Sequence, residues 1–510
     1  MSEPTATPSE SLVARATTGF HWNVGGTLVR SGAGLMINAT LAHLLGPEPF
    51  GRLALAMVVI SFGNLMIESG MGAGLIQKPQ LEELDIRYVF TAQMAAGLSL
   101  TALVAIFAPL AAMSLGQPEV APVLRLLSLM LAIQAFGQTG LALLQRKLDF
   151  RKIQTLQMAS YIVGYLAVGI PLALRGKGVW SLVAAQLTQS SIQSFGAWLL
   201  TRHSLRPYRS RAQRPMAVFG FKIAATNIAG WAVGAVPALM IGRFQGIAAL
   251  GFYSRAYFLV GPPASVLSAS FQATSFAVYS RLQNHLRLTA RTYLGLTSLC
   301  QMLTIPVFLA VAAMPRAIIE TLFGTRWLAA AGVLTPLALA MPLDCLASLA
   351  APLLIARGRP GLEFRVQAIT ALSTVAIVGF LSARASTQAT AWGVLLGVYL
   401  VRMIVATQAS IHLIGLSWTR WAKTVAASTL LGGWCYFMVS FLEERLIAEG
   451  LPAWIRLLFL AALTAMASLG ALYFSPHRIL RREALKLLMG GILPRPSRAH
   501  SWARFAASRG

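Results

Sequence analysis

The sequence predicts an all-α, polytopic membrane protein with about fourteen transmembrane helices. Three observations predict it. The 510 residues are 56% hydrophobic and only 11% charged, too little charge to cover a water-facing surface, since soluble domains carry roughly 25%. The apolar residues fall in continuous runs matching the roughly 20 helical residues that cross a bilayer core. The charges are lopsided, 42 Lys+Arg against 16 Asp+Glu, a net +26 that is unevenly shared among the loops.

The runs lie at about 20–44, 52–75, 88–112, 120–144, 153–174 and 178–200, then at about 217–241, 249–278, 291–313, 328–355, 363–382 and 388–412. Two more follow at about 419–441 and 453–474. None shows the ten-residue alternation of a barrel strand, so helices are expected. Met1–Gly19 lacks the basic start, short apolar core and cleavage site of a secretory signal, which makes the first run a mature span. With the N-terminus in the cytoplasm, 28 of the Lys and Arg residues fall on the cytoplasmic side, 8 opposite and 6 within spans. That bias obeys the positive-inside rule and places both termini in the cytoplasm. It also gives the basic charge a topological meaning, so nucleic acid is not an expected partner.

Two echoes point to an internal repeat. Gly46-Pro-Glu-Pro-Phe-Gly51 follows span 1, and Gly246-Ile-Ala-Ala-Leu-Gly251 follows span 7 with the same spacing. Leu148-Asp-Phe-Arg151 after span 4 is matched by Leu362-Glu-Phe-Arg365 after span 10. Each echo relates a span to the one six later, an even offset, so the two units share one orientation and a substrate path is expected between them. The chain is therefore divided into a polar cytoplasmic N-terminus (1–19), an N-lobe of spans 1–6 (20–200), a basic linker (201–216), a C-lobe of spans 7–12 (217–412), spans 13–14 (413–474) and a basic tail (475–510). The tail mixes Arg and Lys with Ile479, Leu480, Leu485, Leu487 and Leu488, a composition suited to an anionic membrane surface.

No Ser/His/Asp set, phosphate-cradling loop or metal-ligand spacing stands out, and no enzyme activity or cofactor is expected. Cys300, Cys345 and Cys435 are isolated in apolar runs and read as buried small hydrophobes. Charged residues within spans are costly, and by default mark a substrate path, a coupling site or a buried pair. Arg30 lies near the midplane of span 1 and Glu68 toward the cytoplasmic end of span 2, close enough in depth either to pair or to act separately. Asp344 and Arg402 repeat that choice in the C-lobe. Arg255 can reach a cavity from span 8, and Arg52 either guards the mouth of span 2 or snorkels to the interface. Arg125, Lys222 and Arg456 read as snorkellers. The candidate substrate contacts are Arg30, Arg52 and Arg255; Glu68, Asp344 and Arg402 are the candidates for coupling or gating. Pro237, Pro262, Pro263, Pro306, Pro336 and Pro342 interrupt spans 7–10, serving either bending or static kinked packing.

Four segments resemble the polysaccharide-transporter branch of the multidrug/oligosaccharidyl-lipid/polysaccharide exporter superfamily. They are Leu45-Gly-Pro-Glu-Pro-Phe-Gly51 leading to Ile67-Glu-Ser-Gly70 and Leu75-Ile-Gln77; Ile241-Gly-Arg-Phe244 through Leu250-Gly-Phe-Tyr-Ser-Arg-Ala256; Tyr279-Ser-Arg-Leu282; and Phe323-Gly-Thr-Arg-Trp327. The resemblance covers about residues 20–412, and where the branch commonly carries Asp this chain has Glu68. It implies a flippase that moves polyprenyl-pyrophosphate-linked oligosaccharides from the cytoplasmic to the periplasmic leaflet of a bacterial inner membrane. The route would be a cationic cavity between lobes, serving exopolysaccharide, capsule or O-antigen synthesis. It implies as partners the lipid-linked substrate, the bilayer, and a polysaccharide polymerase with its co-polymerase. A pyrophosphate in a low-dielectric path calls for Arg-type contacts, which agrees with the arginines above. Two alternatives remain at this point: a drug or cation antiporter of the same superfamily, and a membrane polysaccharide polymerase or ligase.

Overall fold

The computed structural model describes residues 8–463 except 69–70, 79, 209–213, 283–284 and 461. The helices follow the apolar runs closely, because a fixed bilayer thickness and a fixed helical rise leave little freedom of length. In the first half they are α1 (Pro8–Leu44), α2 (Pro47–Glu68), α3 (Met71–Gln77), α4 (Glu83–Ser114), α5 (Ala121–Arg146), α6 (Phe150–Tyr161), α7 (Ile170–Leu174) and α8 (Val179–Thr201). A π-helical stretch, Ile162–Gly169, joins α6 to α7, so the three make one rod. The second half holds α9 (Arg214–Phe244), α10 (Ile247–Arg281), α11 (Leu286–Ala313), α12 (Pro315–Phe323), α13 (Ala329–Ala347) and α14 (Ala350–Ala356). It continues with α15 (Pro360–Arg384), α16 (Thr387–Val394), α17 (Val401–Ile414) and α18 (Trp418–Ala448). A second π-helical stretch, Leu395–Leu400, joins α16 to α17. Residues 453–460 begin a further helix. Among the described residues, nine helices meet the length and hydropathy of a membrane span outright, and the order of the rods is consistent with fourteen.

Two boundaries differ from expectation. α1 is already helical at Pro8, the first described residue, well before the apolar run. The Ser/Ala/Leu/Val/Arg stretch after it has nothing to break the helix. The segment between spans 9 and 10 folds as α12, whose start is capped by the Glu443 side chain accepting from the Ala317 N–H at 3.1 Å. Proline also lies inside α4, at Pro109, in addition to the interruptions of α9, α10, α11 and α13.

The packing repeats. In the first half α4 packs on α5, α5 on α8, α2 on α5, α6 and its π segment on α8, and α1 on α6. Six spans later α11 packs on α13, α13 on α16 and α17, α10 on α13, α15 on α16 and α17, and α9 on α15. The same five neighbour relations therefore build two lobes in one orientation. α18 lies against α11. Close approach within the N-lobe depends on small residues: a Cβ on Gly97 would lie 2.4 Å from the Ala135 methyl, and one on Gly137 would lie 2.5 Å from the Ser194 Cα.

The lobes meet mainly through α2 against α10 and α9. The first echo lies on this contact and is reciprocal. Gly51 sits against the carbonyl of Ile247, and Gly251 against the carbonyl of Pro47. The leading glycines differ: Gly246 holds φ +91°, whereas Gly46 is not in that region. The second echo marks corresponding helix starts, but Asp149 caps α6 while Glu363 already lies in the first turn of α15. Trp327 is fully buried between Phe50, Phe252 and Phe323, and its indole N–H donates to the Ala42 carbonyl at 3.0 Å. Together these contacts seal the lobes at the face opposite the basic loops.

Candidate functional site

A polar seam runs up the N-lobe between α1 and the α6 rod. Arg30, Gly34 and Asn38 recur every four residues on α1, and Gln157, Tyr161 and Tyr165 recur every four on the facing rod. Side chains at that spacing share one helix face. Arg30 donates to the Gln157 amide oxygen. Asn38 donates from Nδ2 to the Tyr161 hydroxyl at 2.8 Å, while the Tyr161 hydroxyl would meet a Cβ on Gly34 at 3.4 Å. Tyr165 lies against Tyr161 with the rings tilted by 31° and 4.8 Å between centroids, and donates to the Gln186 amide oxygen. The π-helical turns begin one residue after Tyr161, and such distortions commonly re-aim side chains at working sites.

Arg255 closes the top of this seam from the other lobe. Its guanidinium donates to Asn38 Oδ1 at 2.7 Å and lies over the Phe50 ring at 4.3 Å and the Phe258 ring at 5.1 Å. Its Nε is buried without a partner. Arg30 and Arg255 meet no carboxylate among the described residues. An amide oxygen and aromatic faces hold such a cation only partly, leaving its charge free to attract an anion. Asn38 and Arg30 are eight residues apart, so the two cations are separated by about 12 Å of depth.

The other expected residues fall elsewhere. Arg52 pairs with Glu119, with Glu48 at 3.8 Å, at the face opposite the basic loops. Asp344 and Arg402 pair with one another inside the C-lobe, beside Tyr257 and Tyr399. The side chains of Glu68 and Lys222 lie outside the described residues, as does that of Cys435; Cys300 and Cys345 are buried. Arg456 is corrected from a snorkelling residue to a buried one, 7% exposed and donating to Glu320 at 3.1 Å. Its partner stands on α12, which brings a carboxylate to it and removes the need to reach the interface.

Asn38, Gln157, Tyr161 and Tyr165 are not singled out by the sequence. A signal was present as the matching i, i+4, i+8 spacing on two spans, but nothing in the sequence says that those two stripes face each other.

Two parallel six-helix lobes, a closed opposite face and two arginines that meet no carboxylate among the described residues define the class: a multi-pass membrane transporter fold. A solved structure of the lipid II flippase MurJ in an inward closed conformation matches with a TM-score of 0.67 at 12% identity, over 86% of this chain and 98% of that one. The family model described as "Polysaccharide biosynthesis protein" matches residues 40–332, and the chain belongs to that family. The succinoglycan biosynthesis transport protein ExoT of Rhizobium meliloti (strain 1021) is 28% identical over 342 residues, 67% of this chain and 69% of that protein. The lipopolysaccharide biosynthesis protein WzxC of Escherichia coli (strain K12) is 23% identical over 403 residues, 77% of this chain and 80% of that protein.

Proposed function

We propose that the protein is a flippase for polyprenyl-pyrophosphate-linked oligosaccharides, carrying the glycan head from the cytoplasmic to the periplasmic leaflet of a bacterial inner membrane for exopolysaccharide, capsule or O-antigen synthesis. The observation that carries this reading is the pair Arg30 and Arg255, two cations that meet no carboxylate among the described residues, the second of them reaching across the lobe boundary to Asn38. A pyrophosphate supplies the negative charge they lack, and planar guanidinium groups suit its oxygens. The family, the transport role in the name of ExoT and the lipopolysaccharide biosynthesis in the name of WzxC support the same substrate class.

The positive-inside bias puts the basic face and both termini in the cytoplasm. The seal at Gly51, Gly251 and Trp327 then lies at the periplasmic face, and the head enters from below. It meets Arg30 first and Arg255 deeper, and opening of the seal draws Arg255 away from Asn38. Release to the periplasm passes Arg52. Glu68 is assigned to coupling, while the Asp344–Arg402 pair gates the C-lobe. A polymerase and its co-polymerase receive the product.

The test is a proteoliposome assay in which a fluorescent polyprenyl-pyrophosphate-linked sugar becomes accessible to an external quencher. The wild type exposes it faster than empty vesicles, and Arg30→Ala and Arg255→Ala do not, although both insert normally. Full translocation by both variants removes the assignment. Efflux of a cationic dye in place of the lipid would favour the antiporter.

A further inference from the structure

α10 carries different chemistry on its two sides. Arg255 points to the N-lobe, whereas Tyr253 and Tyr257, two residues either way, turn into the C-lobe. Their rings lie nearly parallel, 10° apart, with centroids at 6.3 Å. Tyr257 hydrogen-bonds to Tyr399, which stands on the π-helical stretch of span 12. Behind them the Asp344–Arg402 pair supplies a carboxylate and a guanidinium, each only partly exposed at 21% and 22%. The Arg30–Arg255 assignment uses none of these tyrosines.

The tyrosines line a cavity of about 140 Å³ that is also bounded by Ser254, Pro237 and Ala54. A closed cavity of about 150 Å³ holds a benzene-sized ring, so this half-open one, at about 140 Å³, is on the scale of a single ring with its edge at the mouth. The wall chemistry narrows the occupant further. Aromatic faces suit the apolar C–H face of a sugar ring, and phenolic hydroxyls, which both donate and accept, suit its hydroxyl groups. A prenyl chain would make no use of the polar edge of the Tyr257–Tyr399 pair, and an inorganic anion would gain nothing from the rings.

Position supplies the second argument. Phe50 lies under the Arg255 guanidinium, and Ala54 lines the cavity. They are one turn apart on α2, roughly 6 Å along its axis. An anion at Arg255 and a ring in the cavity would therefore lie about one turn of α2 apart, on either side of the α10 edge, within the reach of a pyrophosphate and the sugar bonded to it.

We propose that this cavity is a monosaccharide subsite, built by Tyr253, Tyr257 and Tyr399, which takes the sugar nearest the pyrophosphate. The proposal rests on the reading of a polyprenyl-pyrophosphate-linked substrate. It makes the C-lobe the reader of the first sugar and the interlobe arginines readers of charge.

The experiment measures binding of two probes to the full-length protein in nanodiscs: undecaprenyl pyrophosphate alone, and panels of the same lipid carrying one hexose or one N-acetylhexosamine. The wild type should bind at least one sugar-bearing lipid about tenfold tighter than the bare one, a difference of about 1.4 kcal/mol. Tyr257→Ala should lose that gain while keeping its affinity for the bare lipid, and Tyr257→Phe, which keeps the ring, should retain part of it. Arg255→Ala should weaken both probes alike. A full sugar-dependent gain in Tyr257→Ala, or no gain for any sugar in the wild type, overturns the subsite while leaving the flippase reading intact. Wild-type protein that binds neither class of lipid overturns the substrate reading, and the subsite with it.

Discussion

A methyl group replacing the glycine hydrogen of Gly51 would lie 1.9 Å from the carbonyl oxygen of Ile247, and one at Gly251 would lie 2.1 Å from the carbonyl of Pro47. These contacts are exchanged between corresponding positions of the two lobes, so α2 and α10 touch as equals about a pseudo-twofold axis. Both neighbours are backbone, which cannot rotate aside. Alanine at either position must push the helices apart.

Gly51→Ala should therefore hold the seal open. Overpacking costs typically about 1–3 kcal/mol, which shifts an equilibrium between two forms by roughly 5- to 150-fold. Spin labels at Ser114 on the N-lobe and Arg384 on the C-lobe, both exposed, should report a longer distance in Gly51→Ala and Gly251→Ala. Unchanged distances in both would show that the contact does not control closure.

Asn38 tests the Arg255 latch. Asn38→Asp places a carboxylate where an amide oxygen now accepts from Arg255 at 2.7 Å. A charged partner strengthens the bond and neutralises the cation. The variant should translocate more slowly, because Arg255 is then tied to the closed form with its charge neutralised. The Nδ2 bonds to the Gly34 carbonyl and the Tyr161 hydroxyl are lost, which holds back any rise in melting temperature. Asn38→Ala should instead lose stability without gaining any preference for the closed form. The paired measurement is a melting curve beside the quencher-access rate.

Much of this fold was legible because the bilayer imposes one length scale on every span. The apolar runs end within a few residues of α4, α5, α8, α11 and α17 for that reason. Glycine spacing exposed the repeat because only glycine allows backbone to touch backbone where Gly51 meets Ile247. Partnerships between distant segments were less visible. Arg456 finds Glu320 only because α12 forms, and the Arg30–Gln157 contact spans 127 positions. Hydrophobicity reports depth in the membrane, not which face of a helix looks at which neighbour.

His203, in the loop after α8, gives a pH dependence. It is buried against Phe90, 5.5 Å between ring centroids, with Nδ1 at 3.0 Å from the Thr201 hydroxyl and Nε2 unpartnered. Burial lowers its proton affinity below the ordinary imidazole value. The unfolded chain then binds the proton more readily than the folded one, so stability rises with pH in this range. The contribution is intact above the unfolded value of about 6.5 and is lost as pH falls below it. Melting temperature should drop between pH 7.5 and pH 5.5 (about one unit to either side of that value), and His203→Phe should flatten the drop. A variant with the same slope as the wild type would assign it to other groups.

The Asp344–Arg402 pair separates a packing role from a gating role. Each side chain keeps about a fifth of its exposure, 21% and 22%, so the cost of breaking the pair belongs at or below the roughly 3 kcal/mol low end for buried pairs. Asp344→Ala leaves Arg402 without its carboxylate beside Tyr257 and Tyr399, and should lower the melting temperature. Replacing both, Asp344→Leu with Arg402→Met, removes the stranded charge and should recover most of that loss. The translocation rate then tells a gate from a structural pair. If the pair gates the C-lobe, the double variant regains stability but still translocates the lipid-linked sugar slowly, because nothing is left to break and remake during the cycle. Recovery of stability and rate together would make the pair a packing element alone.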